Sequence, residues 1–365
     1  MILHRYFARK FLLTFLAVFA IFAAFLALLD LVEQIRRFDS DEVGFRQALG
    51  LTALKIPETL YEFLPLIMIL SGLSLFLGVA RSSELVVTRA AGRSAMRALI
   101  APFLVALVIG GVAIAVVNPL IAATIKRYDV LSAQYRDGIE SVFSISREGV
   151  WLRQGSAEGQ TVIRANSANA DGTQLFGVSF VAFDPGGTPV RRIEAGQASL
   201  SDGYWLLDDA KSWPLAAGSN AEVNAERSAE IRVASTLTRE RIAASVGSPA
   251  TIPFWDLRAY IRQLDAAGFS TRRHNVWFQT ELARPLFLAS MVLIAAAFTM
   301  RHTRFGSTGL MVLLAVLLAF TFYFIRNFAL ILGENGQIPV LLAAWAPPLA
   351  AIFLSLGLIL HLEDG

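Results

Sequence analysis

Cysteine is missing from this 365-residue chain, which excludes a disulfide scaffold, a thiolate metal site and a cysteine nucleophile. Histidine is scarce: the four residues, His4, His274, His302 and His361, lie far apart in the sequence and offer no ligand set for a shared metal. Charge is scarce too, at 17% of residues against about 25% in an ordinary soluble domain. The formal net charge of +3 is too small to point to nucleic acid. No G-x-x-x-x-G-K-[ST] loop is present to cradle ATP phosphates, no H-E-x-x-H occurs, and no serine is matched to a recognisable base. These absences argue for a chain that moves or binds something and carries out no catalysis itself.

What is abundant is apolar surface. Hydrophobic residues make up 55% of the chain, and the mean hydropathy is +0.55. A single soluble core stops growing near about 250–300 residues, so lipid must solvate part of this surface. A membrane span needs about 20 apolar residues to cross roughly 30 Å of hydrocarbon. Six segments meet this or approach it: Phe11–Leu29, Phe63–Ala80, Ala98–Ile125, Pro285–Met300 extended backward through Arg284 and Glu281, Phe305–Ile325 and Ile338–Leu360. The first is too long for a signal-peptide core, and no small-residue cleavage site follows it, so it is read as a retained span.

Lys and Arg in short loops set orientation. Arg5, Arg9 and Lys10 precede span one, Arg81, Arg89, Arg93 and Arg97 follow span two, and Arg301 and Arg304 follow span four. With six spans these stretches share one side, which predicts cytoplasmic termini and places the long segment between spans three and four opposite. There the composition becomes that of a soluble domain. Short β-rich runs (Val150–Leu152, Thr161–Ile163, Leu175–Phe183, Val190–Leu200, Tyr204–Leu207, Ile231–Val233) alternate with turn signals such as Asp171-Gly172 and Asp184-Pro185-Gly186-Gly187. The expected fold class is an α-helical membrane protein with six transmembrane helices, three plus three, around an inserted all-β, jelly-roll-like domain. The division expected is spans one to three over residues 1–125, β domain over 126–250, an amphipathic connecting helix over 251–276 and spans four to six over 277–365. Thr251 is the cap candidate of that connecting helix, Leu257, Ile261 and Leu264 share one face, and Gly268 ends it.

Two features carry functional signals. The first is the loop after span two, Arg81-Ser82-Ser83-Glu84-Leu85-Val86-Val87-Thr88-Arg89. Ser82 or Ser83 would cap a short helix over about 82–95, with Glu84 in its first turn and Leu85 and Val86 on an apolar side suited to a partner's groove. The competing reading is a solvated positive-inside loop. The second is a set of cations at the opposite boundary: Arg36 and Arg37 after span one, Lys126, Arg127 and Arg136 after span three, and Arg326 about 31 Å along the helix from Phe305. Arg offers bidentate contacts to a lipid phosphate, against the plainer reading of snorkelling to bulk lipid. Asp30 and Glu62 sit at the same boundary and are expected to pair with these arginines.

The three-span, β-domain, three-span layout with Arg81-Ser82-Ser83-Glu84-Leu85-Val86-Val87 resembles the LptF/LptG family of lipopolysaccharide export permeases, its LptG branch in particular. Val32-Glu33-Gln34-Ile35-Arg36-Arg37, Gly149-Val150-Trp151, Trp277 and Pro285-Leu286 agree with it. The resemblance implies the permease subunit of an inner-membrane ABC exporter in a Gram-negative bacterium, its β domain periplasmic. A homologous LptF is the expected partner, together with an LptB ATPase dimer that binds ATP and Mg, and a single-span LptC that receives lipopolysaccharide for the periplasmic bridge. It implies ATPase coupling through Glu84, with Arg81, Leu85, Val86 and Arg89 around it, and head-group binding at Arg36 and Arg37, with Arg127, Arg136 and Arg326 as further candidates. The chain departs from the pattern at Asp30, where LptG proteins can have Lys. Two other functions fit the same layout: a permease for lipoprotein or another amphiphile, and a receptor or scaffold that needs no ATPase.

Overall fold

The computed structural model describes residues 2–37, 44–82, 84, 95–135, 143–146, 149–156, 159–169, 172–215, 220–238, 242, 248–300 and 308–363. In chain order the elements are α1 (Ile2–Arg37), α2 (Phe45–Arg81), α3 (Ala95–Val112), a π-helical turn (Ala113–Val117) and α4 (Asn118–Gln134). Seven strands follow, β1 (Phe143–Ser146), β2 (Gly149–Ser156), β3 (Gly159–Ala168), β4 (Gln174–Phe183), β5 (Pro189–Ser201), β6 (Tyr204–Pro214) and β7 (Glu226–Ala234). The chain ends in α5 (Phe254–Ala266), α6 (Arg272–Thr299), α7 (Thr308–Glu334) and α8 (Val340–Glu363). Two compact units result: Met1–Gly138 with Ala250–Trp255 and Arg272–Gly365, and Ile139–Pro249 with Asp256–Thr271.

The first unit is helical and holds the six spans, one of which is α3, the π-turn and α4 run together from Met96 to Asp129. At 37 residues, α2 is about 55 Å long, so it outruns the hydrocarbon by several turns. α6 is the central helix, packed against α2, α3, α7 and α8. Its run from Phe287 to Ala297 is buried throughout, and the small residues Ala289, Ser290, Ala295, Ala296 and Ala297 allow backbones to approach closely, as membrane helices require. Gly110 of α3 makes the tightest such approach, since a Cβ there would sit 2.5 Å from Pro285 Cα. At the periphery, α1 and α7 turn apolar stripes outward. On α7 the stripe is Leu313, Leu317, Phe320, Phe324 and Phe328, a 3.6-residue period suited to lipid or to another membrane helix.

In the second unit the strands form one antiparallel sheet in the order β1-β2-β3-β4-β5-β6-β7. The jelly-roll-like insert expected from sequence therefore takes the form of an up-and-down meander, with no crossed connection between the described strands. Its buried face carries Leu152, Ile163, Phe180, Ile193, Trp205 and Leu207 and is covered by Leu264, Ala267 and Phe269. Burial does not keep period two along the strands. It steps by three in four neighbouring strands, from Ala165 to Ala168, Leu175 to Val178, Ala195 to Ala198 and Leu207 to Ala210. The slips lie side by side, because Ala165 pairs with Val178 and Val178 with Ala195. Gly177 (φ +58) and Asp209 (φ +49) take left-handed backbone on this line, and the pairing register is the same on both sides of it. The result is a crease in the burial pattern that crosses four strands without reversing the apolar face.

Ser82 closes α2, its N–H donating to the Gly78 carbonyl, while Ser83 and residues 85–94 of the short helix expected after it lie outside the described residues. α5 begins at Phe254, after a short 3-10 turn over Pro249–Thr251, and its first N–H donates to Asn118 Oδ1 at 2.9 Å, so Asn118 of the third span caps that N–H.

Candidate functional site

Two polar constellations stand out in the helical unit. The first lies where α2 ends. Lys10 Nζ of α1 donates to both oxygens of Glu84, at 2.8 and 2.9 Å, Tyr6 donates its hydroxyl to Glu84 Oε2 at 3.2 Å, and Ser82 Oγ lies 2.9 Å from Oε1. Burial pushes the Glu84 carboxyl up, but the hydrogen bonds from Lys10 and Ser82 and the Lys10 charge outweigh it and hold the pKa below the ordinary value. Glu84 is thus an anion fixed to the first turns of α1.

The second is buried among α2, α6 and α7. Arg284 donates to Glu281 through Nη2 (2.6 Å) and Nε (3.1 Å), a bidentate pair one turn apart on α6. Glu281 is 0% and Arg284 5% exposed. Tyr61 of α2 donates its hydroxyl to Glu281, and the Arg284 guanidinium stacks 3.9 Å from the Tyr61 ring centroid. Pro65 explains a further contact. Having no N–H, it leaves the Tyr61 carbonyl without its helical donor, and Arg284 Nη1 points there at 3.4 Å.

Arg326 of α7 packs over the Phe287 ring at 5.4 Å, donates to Asn327 Oδ1 and feels the charges of both Arg284 and Glu281. It forms no ion pair among the described residues. Beside it, α2, α6 and α7 line a partly open cavity of about 210 Å³ formed by Phe63, Leu66, Met291, Phe320 and Tyr323, with Glu62 among its few polar groups. Counted from Arg81, Thr299 and Thr308, the residues Glu62, Arg284 and Arg326 lie about 28, 22 and 27 Å along their helices. Three spans therefore bring charge to one level, beside an apolar cavity. Chemically this suits an amphiphile with an anionic head, and no group in it is arranged to attack a bond.

Sequence comparison agrees with this architecture. The model of the lipopolysaccharide export system permease family LptF/LptG matches residues 5–361. The chain belongs to the LptF/LptG family. The lipopolysaccharide export system permease protein LptG of Haemophilus influenzae is 25% identical over 370 residues, covering 99% of both chains. LptG of Escherichia coli K12 is 22% identical over 373 residues, covering 99% of this chain and 98% of that one.

Within this LptF/LptG permease the residues singled out from sequence fall into separate places. Arg81 is exposed at the end of α2 and Glu84 is held by Lys10, while Ser83, Leu85, Val86 and Arg89 lie outside the described residues, as does Arg136. Arg36, Arg37 and Arg127 are exposed. Arg37 Nη1 donates to the hydroxyl of Tyr128 on α4 at 3.3 Å, joined there by Gln34 at 3.2 Å. Arg326 belongs to the other cluster, beside Arg284. Asp30 receives Gln34 Nε2 at 3.5 Å instead of an arginine, and Glu62 forms no ion pair among the described residues but lines the cavity. The expected pairing of both acids with the boundary arginines is thus replaced, because each acid finds an uncharged neighbour or a cavity wall first.

Sequence reading passed over Glu281 and Arg284, treating them only as a backward extension of span four. Their i,i+3 spacing inside an apolar helix was the available signal, since ionisable residues inside a span are costly and mark function or a fixed partner. Lys10 gave no comparable signal, because its partner lies 74 residues away.

Proposed function

We propose that this chain is the LptG-type permease subunit of an ABC exporter that draws lipopolysaccharide from the inner membrane of a Gram-negative bacterium and passes it to a periplasmic bridge. The observation that supports it most is the full-length correspondence, which accounts for the spans, the β insert and the returning helix together. In this reading both termini are cytoplasmic and the β unit is periplasmic, as the Arg-rich short loops favour. ATP and Mg are held by a separate LptB-type ATPase dimer. An LptF-type permease pairs through the exposed faces of α1 and α7, and an LptC-type protein receives the lipid.

Each constellation then has a role. Glu84 is the acid presented to the ATPase, and its bonds to Lys10 and Tyr6 make α1 move with the coupling segment. The apolar cavity takes part of an acyl chain, while Arg326, with Arg36, Arg37 and Arg127 at the same boundary, meets the anionic head group. Nucleotide-driven closure shifts the population of the bundle toward a narrowed cavity and expels the lipid.

Purification of the chain from its native membrane tests this. A nucleotide-binding subunit and lipopolysaccharide, read by mass spectrometry, are expected to accompany it, and Glu84→Ala is expected to lose the ATPase or the coupled export. Another bound amphiphile, or no ATPase at all, would replace this function by one of its two rivals. Reversal of Arg36 and Arg37 to Glu should weaken lipid-stimulated ATP turnover, and an unchanged response leaves those two residues to bulk lipid.

A further inference from the structure

The third span contains a defect that the rest of the helical unit repairs in a specific way. Pro119 has no N–H, so in an α-helix the carbonyl of Ala115, four residues earlier, would lack its donor. The chain widens there into the π-turn Ala113–Val117, with Asn118 N–H donating back to the Ala113 carbonyl. The Ala115 carbonyl instead receives the indole Nε1–H of Trp255, at 3.1 Å. One residue away the exchange runs in reverse. The N–H of Phe254, one of the donors left over at the start of α5, goes to Asn118 Oδ1 at 2.9 Å.

An orphan acceptor of the span and an orphan donor of α5 are thus both served across the same contact, by the adjacent Phe254 and Trp255 on one side and by Ala115 and Asn118, three residues apart, on the other. Asn118 is 4% and Phe254 7% exposed, whereas Trp255 is 65% exposed. Phe254 also stacks on Phe278 of α6, 5.2 Å between centroids at 8°. Phe278 lies one turn before Glu281 on α6, where Glu281 is paired with Arg284. Ala115 lies 20 residues into its helix, about 30 Å from Ala95, the depth at which Trp residues gather at membrane interfaces. π-turns in helices are frequent at functional positions.

We propose that Asn118 and Trp255 form a clasp, a positioning device that locks the π-turn of the third span to the first residues of α5, and that lipid-coupled turnover requires the clasp to be closed. Asn118 and Trp255 touch no substrate; they act by fixing where α5 starts and, through the stack of Phe254 on Phe278, the stretch of α6 that carries Glu281 and Arg284. The coupling half rests on the function proposed above, and the clasp itself does not.

Proline dependence provides the test. Amide hydrogen exchange of the segment spanning Phe254 is measured on the full chain in its assembled complex. Trp255→Phe removes one hydrogen bond and should speed exchange about fivefold, corresponding to roughly 1 kcal/mol. Pro119→Ala removes the cause of the π-turn; with the span back in α-helical register Asn118 N–H bonds Ile114 and residue 119 supplies its own N–H to Ala115, so Trp255→Phe should then change exchange less than about twofold. Equal acceleration in both backgrounds, or none in the parent, overturns the clasp.

In the same samples Trp255→Phe and Asn118→Ala should cut the stimulation of ATP hydrolysis by added lipopolysaccharide about fivefold while basal hydrolysis persists, and Asn118→Asp, which retains an acceptor oxygen, should restore it. Unaltered stimulation despite faster exchange overturns the coupling role. Should no ATPase accompany the parent protein, the proposed function fails and the coupling half with it, while the exchange comparison still decides the clasp.

Discussion

Replacing Arg284 by Met should be among the most damaging single substitutions in the helical unit. Glu281 is fully buried and receives two of its hydrogen bonds from Arg284 and one from Tyr61. Met fills a similar volume, so the packing loss is small and what remains is a buried carboxylate supported by one phenol. Breaking a buried ion pair from one side costs about 3–5 kcal/mol, more than about a hundredfold in the folding equilibrium. Removing both charges should restore most of this. In Glu281→Gln with Arg284→Met the amide oxygen still accepts the Tyr61 hydroxyl, and the Tyr61 carbonyl opposite Pro65 is the main group left short. The double variant should stay within about 1.5 kcal/mol of the parent. Unfolding by SDS in mixed micelles, followed by circular dichroism, gives both numbers, expected to differ by about 2–3 kcal/mol. A single variant that loses under about 1 kcal/mol would mean that water reaches Glu281. A double variant as damaged as the single would mean that Arg284 acts by packing alone.

Adjacent glycines should separate cleanly. Gly110→Ala puts a methyl 2.5 Å from the Pro285 backbone and should cost about 1–3 kcal/mol, whereas Gly111→Ala meets open space and should be neutral or stabilising by up to about 1 kcal/mol, read in the same micelle titration. Trp205→Ala empties the centre of the sheet, where Trp205 is 0% exposed and edge-on to Phe180, and should cost about 3–5 kcal/mol in the thermal unfolding of the β unit's near-ultraviolet signal. Glu84 carries a pH signature. Its folded-state pKa lies below 4.5, so its bond to Lys10 stabilises above that value and fades as pH falls through the lower folded one. The stability difference between parent and Glu84→Gln, under about 1 kcal/mol for so exposed a pair, should be flat from about pH 6 to 8 and vanish in acid; a difference that grew on acidification would reverse the assignment.

The spans were legible because twenty apolar residues have few other uses, and the strands because turn residues punctuate them. The crease in the sheet was not, since Leu175 to Phe183 reads as an ordinary apolar run unless the three-residue step from Leu175 to Val178 is matched against the same step in β3, β5 and β6. That alignment exists only after pairing. The cationic boundary was legible as a level but not as a grouping: counting along helices puts Arg37 and Arg326 at one height, while only packing assigns Arg37 to Tyr128 and Arg326 to Phe287.

Proline gives the clearest case of a signal present in the sequence and incompletely used. Asn118-Pro119 and Pro65 mark kinks, yet a proline inside a helix also leaves one carbonyl, four residues earlier, without a donor, and in hydrocarbon that carbonyl must be served. Here the two carbonyls are Ala115 and Tyr61, and each is met by a side chain arriving from another part of the chain, Trp255 and Arg284. Sequence alone names the acceptors but cannot name the donors, 140 and 223 residues away. Both repairs fall in the outer part of the spans. A helix mended by a neighbour can bend only if the neighbour follows, so these prolines tie helices together at the depth where an amphiphile's head group would lie.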